Sequence, residues 1–227
     1  MDEGAGPAIP AGASAAWVVL GLGLATWLVS FTVLARSGTW APFAAGGAAL
    51  AAAAILTGRE TRALLRPSFA TASVGAGAGL LLVAFTHAGF ALASSASPAL
   101  RAAAGRLFVL LEVGGYSPVA RSALIVLIAG CEEIVFRGAL LGPPRRRTEG
   151  PWRSAGREDL LRVAGLAAAY ALAMATLGSG LLLLVAFGCG LAWGWLRVGT
   201  RSLVPPILAH VVWDLGVLVF WPLVRAG

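Results

Sequence analysis

The chain has 227 residues, of which 59% are hydrophobic and only 12% charged, and its mean hydropathy is +0.85. This composition is far more apolar than that of a water-soluble domain and predicts a polytopic membrane protein. All 17 basic residues are arginines, and the formal net charge is +7. Most of these arginines stand between apolar runs, where they set topology and contact anionic lipid head groups. We therefore expect the lipid bilayer as a partner and no nucleic acid.

Seven apolar runs follow one another along the chain, each near the roughly 20 residues that a spanning helix needs. They fall at about 15–35, 40–57, 68–93, 121–142, 160–178, 180–197 and 203–223. The first run follows an acidic N-terminus without the positive region of a signal peptide, so we expect it to be retained. The segment 98–116 is shorter, charged and amphipathic, which predicts a helix at the membrane interface. The sequence predicts an all-α fold, a polytopic transmembrane helix bundle with about seven or eight membrane helices.

The chain divides by its motifs into two parts. Residues 1–120 are expected to hold the N-terminal transmembrane helices and the interfacial segment, and residues 121–225 a transmembrane core that carries the polar motifs described below. The polar stretch "PPRRRTEGPWRSAGRED" at 143–159 is interpreted as a cytoplasmic linker within that core. No internal repeat is evident, which weakens the alternative of a proton-coupled inverted-repeat transporter.

The arginines between the runs predict the orientation of the bundle. If the N-terminus is cytoplasmic, eleven arginines lie on the cytoplasmic side and five on the opposite side. The eleven are Arg59, Arg62, Arg66, Arg145, Arg146, Arg147, Arg153, Arg157, Arg162, Arg197 and Arg201, and the five are Arg36, Arg101, Arg106, Arg121 and Arg225. The positive-inside rule therefore favours a cytoplasmic N-terminus.

The stretch "GCEEIVFRG" at 130–138 places three charges in the middle of an apolar run. Ionisable residues at such a depth are expensive and are by default functional or paired. On a helix Glu133 and Arg137 are four residues apart and share a face, so they are predicted to form an ion pair. Glu132 points about 100° away and has no partner in its own helix. It is the candidate general base for activating water.

A second polar pair lies in the last run, "SLVPPILAHVVWDL". His210 and Asp214 are also four residues apart, and a carboxylate beside a histidine can fix its tautomer for hydrogen bonding or proton transfer. Counted from the cytoplasmic helix ends, Glu132 and His210 lie at similar depth, at about 1.5 Å per residue. The two motifs are therefore predicted to share one cavity, formed among the fourth to seventh spanning helices.

The combination of "EEIVFR" with "LVPPILAHVVWD" resembles the CPBP family, also called the Abi family, of intramembrane proteases. Its members include CAAX prenyl endopeptidases and myxosortase-like enzymes. The resemblance covers 121–221. It implies an all-helical membrane bundle, in a bacterial inner membrane, that hydrolyses a peptide bond of a membrane-associated protein or peptide with glutamate-activated water. The implied roles are Glu132 as base, Glu133 and Arg137 as a supporting pair, and His210 with Asp214 as the group that stabilises the oxyanion.

One position departs from the family pattern. The family has F-x-x-x-H on the helix after the first motif, and the best alignment here is "YALAM", Tyr170–Met174, with methionine in place of histidine. A thioether is a weak acceptor with no proton to donate. This substitution favours a second hypothesis, a catalytically inactive membrane protein that acts as a binding, immunity or sorting accessory. His87 is not expected to substitute.

No cofactor is expected. A catalytic zinc commonly has three protein ligands that include histidines, whereas His210 would have only carboxylates beside it, so we expect a metal-free mechanism. Cys131, adjacent to Glu132, is interpreted as a packing residue rather than a nucleophile.

Overall fold

The computed structural model describes residues 11–111, 116–142 and 156–224, and within these ranges all regular secondary structure is helical. The α-helices are α1 (Ala11–Ser37), α2 (Ala41–Thr57), α3 (Arg59–Leu64), α4 (Phe69–Ala96), α5 (Pro98–Leu111), α6 (Pro118–Glu132), α7 (Arg157–Ala173), α8 (Gly180–Thr200) and α9 (Val204–Asp214). Each of the seven predicted apolar runs is helical, which confirms the all-α prediction. Most of the predicted polar linker at 143–159, and residues 112–115 of the amphipathic segment, lie outside the described ranges.

Several helix starts follow from capping residues in the sequence. Ser68 precedes α4 and forms a capping box with Thr71, and the Ser117 side chain accepts a hydrogen bond from the third residue of α6. The prolines of α9, Pro205 and Pro206, stand in its first turn, where a missing amide donor does no harm.

Two helices change to π-helical geometry partway along. A π-helix runs over Glu133–Leu140 directly after α6, and another over Leu215–Phe220 directly after α9. Such wider turns occur frequently at functional sites. Here each one begins immediately after a polar residue of the two motifs. The sequence predicts continuous α-helix at both places, because hydrophobic periodicity does not distinguish a local π-helical turn.

The lengths and composition of the helices indicate a multi-pass membrane protein. Three helical segments are long and apolar enough to cross a bilayer, namely Phe69–Ala96, Arg157–Leu177 and Gly180–Thr200. Shorter apolar helices cover Gly21–Leu34, Ala41–Thr57 and Val204–Phe220. The helix α5 has only 14 residues and ordinarily would not span a bilayer.

Helix α4 packs side by side with α9, and the two run parallel. A Cβ atom added at Gly75 would lie 2.7 Å from the carbonyl oxygen of Pro205, and one added at Gly79 would lie 2.7 Å from the Cβ of Val212. Small residues four positions apart allow this close approach of helix backbones. The glycine-rich stretch of α4 is thus a surface for close helix packing.

The two ends of the bundle are defined by the helices that begin and finish there. At the end we call the arginine end, α2 and α6 with its π-helix finish, and α4, α7 and α9 begin. Contacts at this end join neighbouring elements: Arg197 donates to the Gly142 carbonyl, and the Leu203 amide donates to the Leu64 carbonyl. At the other end, the cavity end, α1 and α4 finish, α8 begins, and α5 lies between α4 and α8.

Candidate active site

The two adjacent glutamates lie at the junction between α6 and the π-helix that follows it. Glu132 is the last residue of α6 and Glu133 the first of the π-helix, and their exposed fractions are 3% and 0%. Both carboxylates are therefore inside the bundle. The price of desolvating them must be offset by the groups that each one contacts.

Glu132 receives two hydrogen bonds from aromatic side chains on other helices. The indole Nε1–H of Trp27, on α1, donates to Oε1 at 2.9 Å, and the hydroxyl of Tyr170, on α7, donates to Oε2 at 2.7 Å. Buried tryptophan and tyrosine usually bond their polar atoms in this way. The carboxylate is held at both oxygens, and each oxygen keeps capacity to accept one more hydrogen bond.

Glu133 forms the predicted ion pair with Arg137. The Arg137 Nη1 atom lies 2.9 Å from Glu133 Oε1, and its Nη2 donates to the Gly190 carbonyl on α8 at 3.3 Å. The guanidinium also lies over the ring of Tyr170, 4.9 Å from its centroid. The arginine thus links the π-helix to α7 and α8 as well as neutralising a buried charge.

His210 stands between the carboxylates of both motifs. Its Nδ1 lies 3.0 Å from Glu133 Oε1, and its Nε2 lies 3.9 Å from Glu132 Oε2 and 3.5 Å from Asp214 Oδ2. The ring stacks on Trp193 with centroids 5.4 Å apart. Glu133 accepts only, so its contact assigns a proton to Nδ1 and leaves Nε2 pointing to the other two carboxylates. The predicted common depth of Glu132 and His210 is confirmed by this contact.

A cavity of about 550 Å³ adjoins the cluster. Glu132, Tyr170, His210 and Asp214 contribute to its wall, and apolar side chains supply most of the remainder. Met174 also lines it and is only 8% exposed. Met174, at the position where the family pattern has a histidine, therefore faces the same cavity as Glu132.

The walls of the cavity come from more helices than the sequence predicts. Besides the fourth to seventh apolar runs, α4 contributes Phe85, Thr86 and Phe90, and α5 contributes Leu100, Ala104 and Leu107. The reason is the close packing of α4 on α9, which brings Thr86 to within 2.9 Å of the Trp213 indole nitrogen. His87, also on α4, does not line the cavity.

All five residues singled out from the sequence are brought together, namely Glu132, Glu133, Arg137, His210 and Asp214. Among the described residues, no group of three or more histidine, cysteine, aspartate and glutamate side chains has the arrangement of a metal site. Sequence reasoning missed both partners of Glu132. The sequence marks Tyr170 only as the aromatic position aligned with F-x-x-x-H. Trp27 lies 105 residues away from the glutamate, outside every motif. The one available signal was the presence of polar aromatic side chains in apolar runs.

A family model described as "Type II CAAX prenyl endopeptidase Rce1-like" matches residues 115–216. No curated protein and no solved structure matches the chain.

Proposed function

Residues 115–216 form a domain of the Rce1-like type II CAAX prenyl endopeptidase (CPBP/Abi) family, and from this premise we propose that the protein is an intramembrane endopeptidase whose general base is Glu132. The family implies a protease with a protein substrate. The proposal adds that the substrate is a membrane-associated peptide segment, because the glutamate lies inside an apolar bundle. The catalytic core is assigned to 121–225, with the helices of 1–120 in support, and the location to a bacterial inner membrane crossed by seven or eight helices.

One observation carries the proposal: a buried carboxylate, oriented by two hydrogen bonds, lies at the wall of a cavity beside a histidine. A general base must be within hydrogen-bond reach of the water that it deprotonates, and it must keep an unused lone pair for that water. Glu132 meets both conditions, because Trp27 and Tyr170 each use one acceptor position of a different oxygen.

In the proposed reaction, Glu132 takes a proton from water as the water oxygen attacks the carbonyl carbon of the peptide bond. The carbonyl oxygen becomes an oxyanion. His210, protonated on both ring nitrogens between the carboxylates of Glu133 and Asp214, stabilises it by donating through Nε2–H. Glu132 then returns the proton to the departing nitrogen as the C–N bond breaks. Hydrolysis balances with one water consumed, one carboxyl group formed and one amine released.

Glu133 and Arg137 are proposed to orient the histidine rather than to touch substrate. The hydrogen bond between Glu133 and Nδ1 directs the opposite nitrogen of His210 toward the cavity. Arg137 holds Glu133 in place and keeps the buried charge compensated. Loss of either residue would therefore lower hydrolysis by changing the orientation of His210.

Tyr170 is proposed to compensate for Met174, the methionine at the histidine position of F-x-x-x-H. Met174 has no donor for a water molecule, whereas the Tyr170 hydroxyl, one helical turn earlier, already donates to Glu132. The base is thus positioned by a hydroxyl on α7 where the family pattern has an imidazole on the same helix.

The function is tested by comparing membrane-associated proteins of the native host by mass spectrometry. Strains lacking the chromosomal copy would carry the wild type, Glu132→Gln, or the control Glu60→Gln, whose glutamate is exposed on α3. We expect proteins with newly trimmed ends in the wild-type and Glu60→Gln strains and none in the Glu132→Gln strain. Equal trimming in all three would contradict the proposal.

Met174 supports a second candidate function, that of a binding, immunity or sorting accessory on the same scaffold. The variant Met174→His separates the two candidates. If the wild type trims nothing and Met174→His gains trimming that Glu132→Gln removes, the accessory function is favoured. If the wild type trims as proposed, the accessory candidate is dismissed.

A further inference from the structure

The site is closed toward the arginine end of the bundle. Directly beyond the glutamates, Val135 and Phe136 are completely buried, and Arg137 is 3% exposed. Leu203, the residue before α9, is also completely buried and closes against the π-helix, since a Cβ added at Gly138 would lie 3.0 Å from its side chain. None of these residues lines the cavity.

The cavity instead extends toward the opposite end. Three long helices line it with the half nearer that end: α4 with residues 85–93, α7 with Tyr170 and Met174 at its end, and α8 with residues 181–189. On α9 and the π-helix after it, the lining runs from His210 away from the arginine end to Leu218. A smaller cavity of about 160 Å³ shares Asp214 and Leu218 with it and reaches Arg121, in the first turn of α6. From Glu132, open space therefore leads to the cavity end.

The cavity wall is interrupted between α4 and α8. Phe85 and Leu184 both line the cavity, yet they are 77% and 69% exposed. Since α5 packs against both helices at this end, the gap lies beside a helix too short to span the bilayer. Apolar side chains that face both the cavity and the outside open the cavity toward the lipid side of the bundle.

The distribution of arginines assigns the two ends to the two sides of the membrane. The closed end carries Arg59, Arg62 and Arg66 on and around α3. Gly142 and Gly156, which flank the four arginines of residues 143–155 in the sequence, also lie at this end. Positive loops remain in the cytoplasm. The closed end is therefore the cytoplasmic one, and the cavity faces the other side.

We propose that the site receives its peptide from the non-cytoplasmic side of the membrane and that the occupant of the cavity is the outer end of an apolar, membrane-anchored segment of the substrate protein. The apolar wall, the gap between α4 and α8, and a volume of about 550 Å³ fit such a segment. The statement about cleavage rests on the proposed protease function. The statement about access rests on the shape of the bundle and its charges.

Thiol accessibility tests the access side without requiring catalysis. In a background with Cys131→Ser and Cys189→Ser, single cysteines are introduced as Leu218→Cys in the cavity, Ser37→Cys on the exposed last turn of α1, and Glu60→Cys on exposed α3. A small, charged, membrane-impermeant methanethiosulfonate is applied to spheroplasts and to inverted vesicles. Thiols that remain are then counted with a fluorescent maleimide after denaturation.

We expect the thiols of Leu218→Cys and Ser37→Cys to be blocked by the reagent in spheroplasts and to react little in inverted vesicles. The thiol of Glu60→Cys should be blocked in inverted vesicles and react little in spheroplasts. The inference is overturned if Leu218→Cys follows Glu60→Cys, if it is blocked from neither side, or if Ser37→Cys itself is blocked only in inverted vesicles. Blocking as expected, with no trimming in the host, would refute the protease function and leave the access side standing.

The position of the cleaved bond gives an independent check. Where trimmed proteins are found, the new terminus should lie at the non-cytoplasmic end of the substrate's apolar segment, accessible to added protease in spheroplasts. New termini at the cytoplasmic end would overturn the inference about access while leaving the protease function supported.

Discussion

Replacing Arg137 by methionine removes the cation that faces Glu133 inside the bundle. Both side chains are buried, with 3% and 0% exposure, and their charged atoms are 2.9 Å apart. Removing one partner of a buried ion pair destabilises a protein by about 3–5 kcal/mol, because an uncompensated charge remains. For a chain of this size, at about 2–4 °C per kcal/mol, the expected fall in the unfolding temperature is about 6–20 °C.

The double variant Glu133→Gln with Arg137→Met should lose much less than the sum of the two single losses. Without both charges the interior holds a neutral amide, which still accepts the hydrogen bond from His210, and a thioether of similar length to the arginine stem. We expect a coupling energy of about 1–3 kcal/mol between the two positions.

The assay is thermal unfolding of purified protein in detergent, followed with a thiol-reactive fluorogenic dye. Cys131 is 6% exposed and next to Glu132, so it reacts only when this region opens. Arg59→Met, at an exposed arginine on α3, is the control and should stay within about 0.5 kcal/mol of the wild type. If the two single effects add to the double effect, Glu133 and Arg137 do not compensate each other and the argument fails.

Substitutions at Tyr170, Trp27 and Gly75 test the contacts of these three residues. Tyr170→Phe removes only the hydroxyl on Glu132, a hydrogen bond to a charged group worth about 1.5–3 kcal/mol, so host trimming should slow about 10- to 150-fold; an unchanged rate would contradict its positioning role. Trp27→Phe removes the other donor to Glu132 and should slow trimming in the same direction, while Trp27→His, which can restore a ring N–H, should recover part of it. Gly75→Ala places a Cβ 2.7 Å from a backbone oxygen of α9 and should lower the unfolding temperature, whereas Gly77→Ala, with nothing within 4 Å, should leave it unchanged or raise it slightly; equal effects would contradict the close packing.

The candidate site could be predicted largely from the sequence because charges are rare in apolar runs. Glu132, Glu133 and Arg137 stand out against their surroundings, and the spacing of four residues predicts the ion pair that is observed. The depth of His210, counted from the helix end, predicts its approach to Glu132. These arguments need only helix geometry and the cost of burying charge.

The remainder depends on tertiary packing, which periodicity does not report. Nothing local distinguishes Trp27 from the other tryptophans of the chain, and its bond to Glu132 depends on the packing of α1 against α7 and the π-helix that follows α6. The participation of α4 in the cavity wall likewise follows from its parallel packing on α9. Hydrophobic patterns predict that a helix is buried or faces lipid, but they do not identify its neighbour.

The most direct test of the central claim measures hydrolysis and its dependence on Glu132 together. Membranes from the wild-type and Glu132→Gln strains are incubated in water enriched in oxygen-18, and the new C-termini of trimmed proteins are examined by mass spectrometry. The account predicts one heavy oxygen in each new carboxyl group in wild-type membranes and no trimming in Glu132→Gln membranes. The variant protein must unfold at the wild-type temperature or above, so that loss of trimming is not loss of folding. Labelled products at an equal rate in Glu132→Gln membranes would contradict the account.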